Sequence, residues 1–147
     1  LALVCDYRIA VESATLIEVF INVGLVPDSA SSFYLPRIIG YARAFEMCAS
    51  ADKMTAAEAK KLGLVNKVVS TQPLLEKSLM ITAKNFASRP TKAIGMIKTL
   101  MRKSFDSTLD EILTLESEFQ EAAGNTEDFR EGIASFLEKR KSAFKGK

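Results

Sequence analysis

The sequence predicts an α/β fold in which a mixed β/α part is followed by an all-α part. Short runs rich in β-branched and aromatic residues, such as 7–11 and 64–69, are typical of strands and lie in the first half of the chain. From Pro73 onward, apolar residues recur every three or four positions, which is the spacing of amphipathic helices. We therefore divide the chain into residues 1–70 and residues 71–147.

The β/α part is expected to begin with the end of an apolar helix at residues 1–5. Because no initiator Met precedes it, we expect the chain to be the C-terminal part of a longer protein. The elements that should follow are strands at 7–11 and 15–19, an apolar connection at 20–26 with a turn at Gly24, and helices from Ser29 and from Tyr41 to Cys48. Pro36 should interrupt the first of these helices, because proline lacks a backbone N–H.

A capping box predicts the start of the next helix. The Thr55 hydroxyl can accept from the Glu58 N–H, while the Glu58 carboxylate reaches back to the Thr55 N–H. Gly63 is well placed to end this helix. The valines of Leu64–Val69 then favour an extended strand.

Four amphipathic helices should follow, separated at Arg89-Pro90, at Asp106-Ser107 and at 124–126. We expect Asp106-Ser107 to cap the third helix. The residues expected to face inward are Leu75, Leu79, Ala83 and Phe86; Ile94, Ile97, Leu100 and Met101; Leu109, Ile112, Leu113 and Phe119; and Phe129, Ile133, Phe136 and Leu137. These stripes fit either an intramolecular core or a subunit interface, and the pattern leaves both open.

The composition excludes several classes of function. The chain has 147 residues, of which 48% are hydrophobic and 26% charged, as in soluble globular proteins. A net charge of +2 gives no case for a nucleic-acid partner. Two cysteines and no histidine exclude a disulfide scaffold, a Ser-His-Asp triad and most zinc sites from this chain. The low cysteine count makes a reducing compartment the default, and a cytoplasmic location is expected. No apolar run has the length of a membrane span, and no signal peptide is recognised.

Asp28 is the candidate catalytic residue. It is the one acidic side chain in the run from Gly24 to Arg37, where it follows a Pro, lies next to small residues and has apolar residues on both sides. Desolvation in such surroundings should raise the pKa of its carboxyl group, and a carboxyl group with a raised pKa can take and return a proton near neutral pH. The alternative is structural, because Pro27-Asp28-Ser29 also fits a turn in which Asp or Ser caps the following helix.

Several motifs, in one order along the chain, resemble the crotonase (enoyl-CoA hydratase/isomerase) superfamily. They are Cys5-Asp6-Tyr7-Arg8-Ile9-Ala10; Leu35-Pro36-Arg37-Ile38-Ile39-Gly40 with Ala42-Arg43-Ala44; Ala56-Ala57-Glu58-Ala59 with Leu62-Gly63-Leu64-Val65; and Arg130-Glu131-Gly132-Ile133 with Ser135-Phe136-Leu137-Glu138-Lys139-Arg140. The resemblance covers almost the whole chain.

The resemblance implies a fold and an assembly. Residues 1–70 would be the end of the crotonase β-β-α spiral, and residues 71–147 the helical extension that packs subunits into a homotrimer or a dimer of trimers. The substrate would be an acyl-CoA thioester, with no separate cofactor. Family members stabilise the thioester enolate with two backbone N–H donors, each worth about 3 kcal/mol. Those donors lie before the segment that matches Leu1, so this chain alone is expected to be inactive.

The acidic residues favour an isomerase over a hydratase. Hydratases of the family use two glutamates to activate water; one would precede Leu1, and the other aligns with Phe20, which cannot do acid–base work. Glu18 does not match the motif and is interpreted as a solvent-facing strand residue. Enoyl-CoA isomerases and the phenylacetate-pathway ring isomerase carry one acidic residue after the Pro of this turn, as Asp28 does. Asp28 would then shuttle a proton in a 1,3-shift.

Other site residues follow from the same resemblance. Phe20, Leu25, Phe33 and Leu35 are candidates for the apolar pocket wall, and each also fits an ordinary core position. Phe144 and Lys145 match a tail that lies near the CoA entrance of family members, and a disordered terminus is the alternative.

Three further interpretations stay open. The basic residues Lys139, Arg140, Lys141, Lys145 and Lys147 fit either a solvated helix end or a contact to CoA phosphates. Ala30 and Ser31 stand where many members have Gly-Gly, and glycine permits backbone angles that these residues resist. The competing functions are a hydratase (a lyase) and an inactive helical assembly module, and both fatty-acid metabolism and phenylacetate degradation fit an isomerase.

Overall fold

A computed structural model describes residues 2–147 of the chain. The elements are, in order, β1 (Ile9–Val11), β2 (Thr15–Leu16), α1 (Ser31–Ile39), α2 (Tyr41–Ser50), β3 (Met54–Thr55), α3 (Ala56–Lys61), β4 (Lys67–Val69), α4 (Gln72–Ala87), α5 (Thr91–Lys103), α6 (Leu109–Gly124) and α7 (Glu127–Leu137). Short 3-10 helices occupy Ala2–Val4 and Phe20–Val23. Ala2–Val4 stands where a helix end was expected, and Leu1 lies outside the described residues. The chain forms two compact units, up to Met80 and from Ile81.

The strands form two short ladders in the first unit. β1 pairs in parallel with β4, with Ala10 opposite Val68, and β2 pairs antiparallel with β3, with Leu16 opposite Met54. All three predicted strands are present but shorter than predicted. At 64–69 the reason is local, because the N–H groups of Leu64 and Val65 donate to the Ala59 carbonyl at the end of α3, 2.8 and 3.2 Å away. These residues are therefore held by the helix and not by the ladder.

Pro36 does not interrupt the first helix, contrary to the prediction. α1 continues through it to Ile39 and ends where the Gly40 N–H donates to the Pro36 carbonyl at 3.1 Å. Leu35 and Ile39 lie on the buried side of α1, only 1% and 6% exposed. Their burial offsets the hydrogen bond that proline removes.

The capping box of α3 is confirmed. The Glu58 N–H donates to Thr55 Oγ1 at 3.2 Å, and the Thr55 N–H donates to Glu58 Oε2 at 2.8 Å. These bonds favour the ionised carboxylate, so the hydrogen bonds from Thr55 lower the pKa of Glu58. Gly63, with a φ of +77°, follows the helix as predicted.

One apolar core organises the first unit. Leu35 and Leu64 are its largest fully buried side chains. The other buried members come from α1, α2, α3 and the segment before β4; they are Ile39, Ala44, Met47, Ala59 and Val65. β1 and β2 each place a half-buried residue, Ala10 and Leu16, against this cluster.

The second unit is helical, and its apolar residues are less buried than predicted. α5 packs against α6, and α6 against α7. Ile94, Leu100, Ile112 and Phe119 are half-buried. By contrast, the following residues of the predicted stripes are exposed: Leu79, Ala83, Phe86, Ile97, Met101, Leu109, Leu113, Phe129, Ile133, Phe136 and Leu137. The helix pairs α5–α6 and α6–α7 therefore do not bury all the apolar residues of the predicted stripes.

The cap of α6 also differs from the prediction. The N-cap residue is Thr108 and not Asp106-Ser107. The Thr108 N–H donates to Glu111 Oε2 at 2.7 Å, and Thr108 Oγ1 accepts from the Glu111 N–H at 3.3 Å. Thr108 has a Glu three residues later, which completes a reciprocal box. No helix within residues 2–147 has the length and apolarity needed to cross a membrane.

Replacing Leu64 with Ala should lower the free energy of unfolding by about 2–5 kcal/mol, because the change leaves a cavity in a fully buried cluster. Urea denaturation of the full polypeptide measures this. The matched control is Leu64→Met, which keeps the volume and should cost less than about 1.5 kcal/mol. Equal losses in the two variants would contradict the central position of Leu64.

Candidate active site

Asp28 lies in the turn that precedes α1, and its surroundings differ from those predicted. The residue is exposed, and so are Leu25 and Val26, at 60% and 78%. The sequence predicted that apolar neighbours would bury the Asp28 carboxylate. Among the described residues these neighbours are themselves exposed, so they do not bury it. An exposed carboxylate at this turn is, however, accessible to a substrate.

The Asp28 side chain does not cap α1. The N-cap residue of α1 is Ala30, and no side chain caps this end of the helix. Asp28 contributes its backbone carbonyl, which accepts from the Ser31 N–H at 2.9 Å and from Ser31 Oγ at 2.8 Å. The carboxylate is thus not used for capping, which was the structural alternative for this residue.

The turn after Asp28 is left-handed at two consecutive residues. Ser29 has a φ of +49° and Ala30 a φ of +63°, angles that cost an L-residue roughly 1–2 kcal/mol each. Ala30 is one of the two positions where the family resemblance implies glycine, and glycine would adopt this conformation without strain. Ser31, the other such position, is the first residue of α1 and is helical.

Glu18 is a second carboxylate near this turn, and the sequence interpretation of it was wrong. It is half-buried, it lies outside the strands, and its Oε2 is 3.5 Å from Ser31 Oγ. Burial raises the pKa of Glu18, and the charge of Asp28 raises it further, while the hydrogen bond from Ser31 opposes both. The overlooked signal was an acidic residue inside the apolar run Leu16–Val19.

Cys48, on α2, completes this cluster. Burial raises the pKa of its thiol, and the charge of Glu18 raises it further. The thiol is therefore less reactive than an exposed cysteine at neutral pH. The structure thus brings Glu18 close to Ser31, and the charges of Asp28 and Glu18 close enough to interact.

The four residues predicted to form the apolar pocket wall differ in burial. Phe20 is half-buried, and Leu25 and Phe33 are exposed. Leu35 belongs to the apolar core, which is the alternative that the sequence left open for it. The Phe33 ring carries the Arg37 guanidinium 3.7 Å from its centroid, so one face of this ring is already occupied.

The predicted tail residues lie in the second unit. Phe144 is half-buried and Lys145 is exposed. The backbone N–H groups of Lys145 and Gly146 donate to the Asp128 carboxylate at 2.7 and 2.8 Å. The tail is thus held by hydrogen bonds, in contrast to the disordered terminus that was its alternative.

Comparison with known proteins identifies relatives along the whole chain. A family model described as enoyl-CoA hydratase/isomerase matches residues 1–147. The 1,2-epoxyphenylacetyl-CoA isomerase of Escherichia coli (strain K12) is 36% identical over 147 residues, which cover 100% of this chain and 56% of that protein. The crotonyl-CoA hydratase of Syntrophomonas wolfei subsp. wolfei is 32% identical over 144 residues, covering 98% of this chain and 55% of that protein.

A solved structure agrees with these relatives. The crystal structure of enoyl-CoA hydratase from Bacillus anthracis superposes with a TM-score of 0.89 at 35% identity, covering 99% of this chain and 56% of that one. The chain therefore spans little more than half the length of the relatives it matches. That it corresponds to their C-terminal part is not confirmed by these matches and stays a prediction.

Replacing Ala30 with Gly should raise the free energy of unfolding by about 1 kcal/mol, because glycine adopts the left-handed conformation without strain. Thermal or urea denaturation measures the change. The control is Ala57→Gly, the same substitution at an exposed position inside α3, which should lower stability by about 0.5–1 kcal/mol. If Ala30→Gly lowered the free energy of unfolding as Ala57→Gly does, residue 30 would not be in the left-handed conformation.

Replacing Glu18 with Gln should change how stability depends on pH. The raised pKa of Glu18 means that the native state binds this proton more tightly than the unfolded state, so wild-type protein loses stability as pH rises from about 4.5 through the raised pKa. Glu18→Gln removes that loss and should gain stability relative to wild type between pH 4 and pH 7. Denaturation at both pH values measures it, with exposed Glu12→Gln as the control. If the stability difference between Glu18→Gln and wild type were the same at pH 4 and pH 7, the raised pKa of Glu18 would be contradicted.

Proposed function

The chain belongs to the enoyl-CoA hydratase/isomerase family, and we propose that the full protein is an isomerase that moves a double bond in an acyl-CoA thioester. The observation that carries the proposal is the accessible carboxylate of Asp28 directly after Pro27, with Phe20 at the position where a hydratase of the family needs a glutamate. The relative from Escherichia coli that is named as a 1,2-epoxyphenylacetyl-CoA isomerase supports the same choice.

In the proposed reaction, Asp28 acts as a single acid–base group. Its carboxylate removes a proton from the carbon next to the thioester carbonyl, and the electron pair is delocalised into an enolate. The protonated Asp28 then returns the proton two carbons further along, which moves the double bond without adding or losing atoms. Water has no part in this reaction, and an aromatic residue such as Phe20, at the position where a hydratase of the family has a glutamate, would help to exclude it.

The rest of the machinery is proposed for the full protein. The backbone donors that stabilise the enolate would lie in the part of the relatives' length that this chain does not span, so the chain alone would be inactive. Phe20, Leu25 and Phe33 would contact the acyl group, and Phe144 and Lys145 the CoA end. The CoA thioester is the substrate, and no separate cofactor is proposed.

The exposed apolar side chains of α4 to α7 support the proposal that the full protein assembles as a homotrimer or a dimer of trimers. If this were the only role of the chain, it would be a helical assembly module. That alternative predicts stable oligomers that do not bind acyl-CoA, whereas an enzyme should gain thermal stability in the presence of acetoacetyl-CoA.

A hydratase is the second candidate, and one observation favours it. Glu18 places a second carboxylate, which is half-buried, near the exposed Asp28, so the site holds two acidic groups although Phe20 replaces the glutamate of the motif. Water addition would then use Glu18 and Asp28 together. The relative named as a crotonyl-CoA hydratase is consistent with this candidate.

Asp28→Asn in the full polypeptide should lower kcat for isomerisation of 3-hexenoyl-CoA by about 10²–10⁴-fold, since the variant keeps the shape of the side chain but cannot accept the proton. The substitution should leave the melting temperature unchanged, because Asp28 is exposed and its side chain does not cap α1. Formation of the conjugated 2-enoyl thioester, followed by its absorbance, measures turnover.

The matched control for this experiment is Asp52→Asn, an exposed aspartate of the same unit, which should keep wild-type turnover. Unchanged turnover in Asp28→Asn would exclude Asp28 as the base. Loss of crotonyl-CoA absorbance with the wild-type protein, abolished by both Asp28→Asn and Glu18→Gln, would instead establish the hydratase.

A further inference from the structure

Asp128 is a buried carboxylate whose hydrogen bonds go to the C-terminal tail. It is the second residue of α7 and is only 4% exposed. Its Oδ1 accepts from the Lys145 N–H at 2.7 Å, and its Oδ2 accepts from the Gly146 N–H at 2.8 Å. The Asp128 N–H in turn donates to the Lys147 carbonyl at 3.1 Å. Buried carboxylates need such partners, and here the tail backbone supplies them.

Glu131 holds the same tail one helical turn further along α7. Its two carboxylate oxygens accept from the Arg140 guanidinium at 2.6 and 2.8 Å, and Oε1 also accepts from the Ala143 N–H at 2.8 Å. These bonds, chiefly those from Arg140, lower the pKa of Glu131 to about 2. We call Asp128 and Glu131, together with residues 140–147, the tail clasp. It fixes the tail at two points on one face of α7.

Gly146 shows how closely the clasp fits. Its φ is +75°, in the left-handed region that favours glycine. A Cβ at this position would lie 2.3 Å from Thr91 Oγ1, at the start of α5. The tail therefore passes between α7 and α5 at a distance that a larger residue would not allow.

The clasp sets the positions of Phe144 and Lys145. The Phe144 ring packs 3.7 Å from the place where a Cβ of Gly132 would stand, and it lines a cavity of about 300 Å³ together with Pro90, Ala93, Phe129 and Ile133. Lys92 lines the same cavity. An apolar cavity with a cation at its edge suits a ligand that carries both a flat apolar group and a phosphate.

The Lys145 ammonium group is exposed, and its charge helps to lower the pKa of Glu131 in the same clasp. Asp128 binds Lys145 through the backbone N–H, and Lys145 is exposed. Arg140 differs, because its guanidinium is bonded to Glu131 and to Glu138. The tail therefore presents the Lys145 ammonium group to solvent, where it can meet a phosphate.

From this geometry we infer that Asp128 is a positioning residue: through the tail clasp it holds Phe144 and Lys145 ready for the nucleotide end of the CoA thioester. The inference rests on the proposed function, in which the tail contacts CoA. Beyond that function, we expect the affinity of the protein for the nucleotide end of CoA to depend on the fraction of molecules in which the tail is held by the clasp. If the tail were docked a tenth of the time, the apparent Kd would rise about tenfold.

Two variants open the clasp from opposite sides. Asp128→Asn leaves one oxygen acceptor for two backbone N–H groups, because its amide nitrogen is a donor. Gly146→Ala leaves α7 intact and forces the tail away from Thr91. Glu127→Gln is the matched control, since it removes a charge from the same first turn of α7 at an exposed position. If Asp128→Asn does not fold, Gly146→Ala alone is used to test the inference.

In the full polypeptide, both clasp variants should raise the KM for an acyl-CoA and the Kd for free CoA about tenfold, with kcat within twofold of wild type. The KM for the corresponding acyl-pantetheine thioester, which lacks the nucleotide, should not change. Amide hydrogen exchange at Lys145 and Gly146 should become faster in both variants. Glu127→Gln should match wild type in every measurement.

Faster exchange with unchanged KM and unchanged Kd for CoA would overturn the inference, because the clasp would then have only a structural role. An equal rise in KM for the pantetheine thioester would also overturn it. Failure of the proposed reaction is a separate result, since Asp28→Asn tests the chemistry, whereas the Kd for CoA tests the tail without turnover.

Discussion

The position of the candidate site depends on the packing of Leu35 in the apolar core. Leu35 is 1% exposed and anchors α1 in the core of the first unit, with Ile39 one turn further on. Because a helix is rigid over one or two turns, fixing this face also fixes the helix N-terminus at Ala30 and the turn that carries Asp28. The apolar core thus positions an exposed carboxylate that it does not contact. It also stabilises a helix that contains a proline and starts at a strained residue.

The second unit has the opposite pattern of burial. Its buried side chains are polar, namely Thr126, Asp128 and Ser135 among the residues described, while its large apolar residues are exposed or only half-buried. Hydrogen bonds can define the geometry of such a unit, but they contribute only about 0.5–1.5 kcal/mol each to stability. The free energy available from its apolar faces would be released only on contact with another surface, which is why assembly is part of the proposed function.

Local signals predicted the parts of the fold that depend on local interactions. The box at Thr55 was predicted because both partners lie within one helical turn, and the helix stop at Gly63 because a left-handed residue is needed there. Tertiary contacts decided the rest. Pro36 is tolerated because its neighbours are buried. The stripes of α4 to α7 gave the correct helices but not their burial, since periodicity identifies an apolar face and does not identify what covers it.

Glu18 shows most clearly why the site could not be predicted from the sequence. β2 ends at Leu16, and Val19 already has helical backbone angles, with a φ of −83° and a ψ of −4°, so Glu18 is not the strand residue that the sequence predicted. Glu18 is half-buried and lies beside Ser31, whose side chain a glycine would lack. Burial and the charge of Asp28 both oppose a second negative charge at Glu18. Of the two carboxylates, the exposed one, Asp28, is accessible to a substrate, which is why the proposed function gives the role of base to Asp28 and not to the half-buried Glu18.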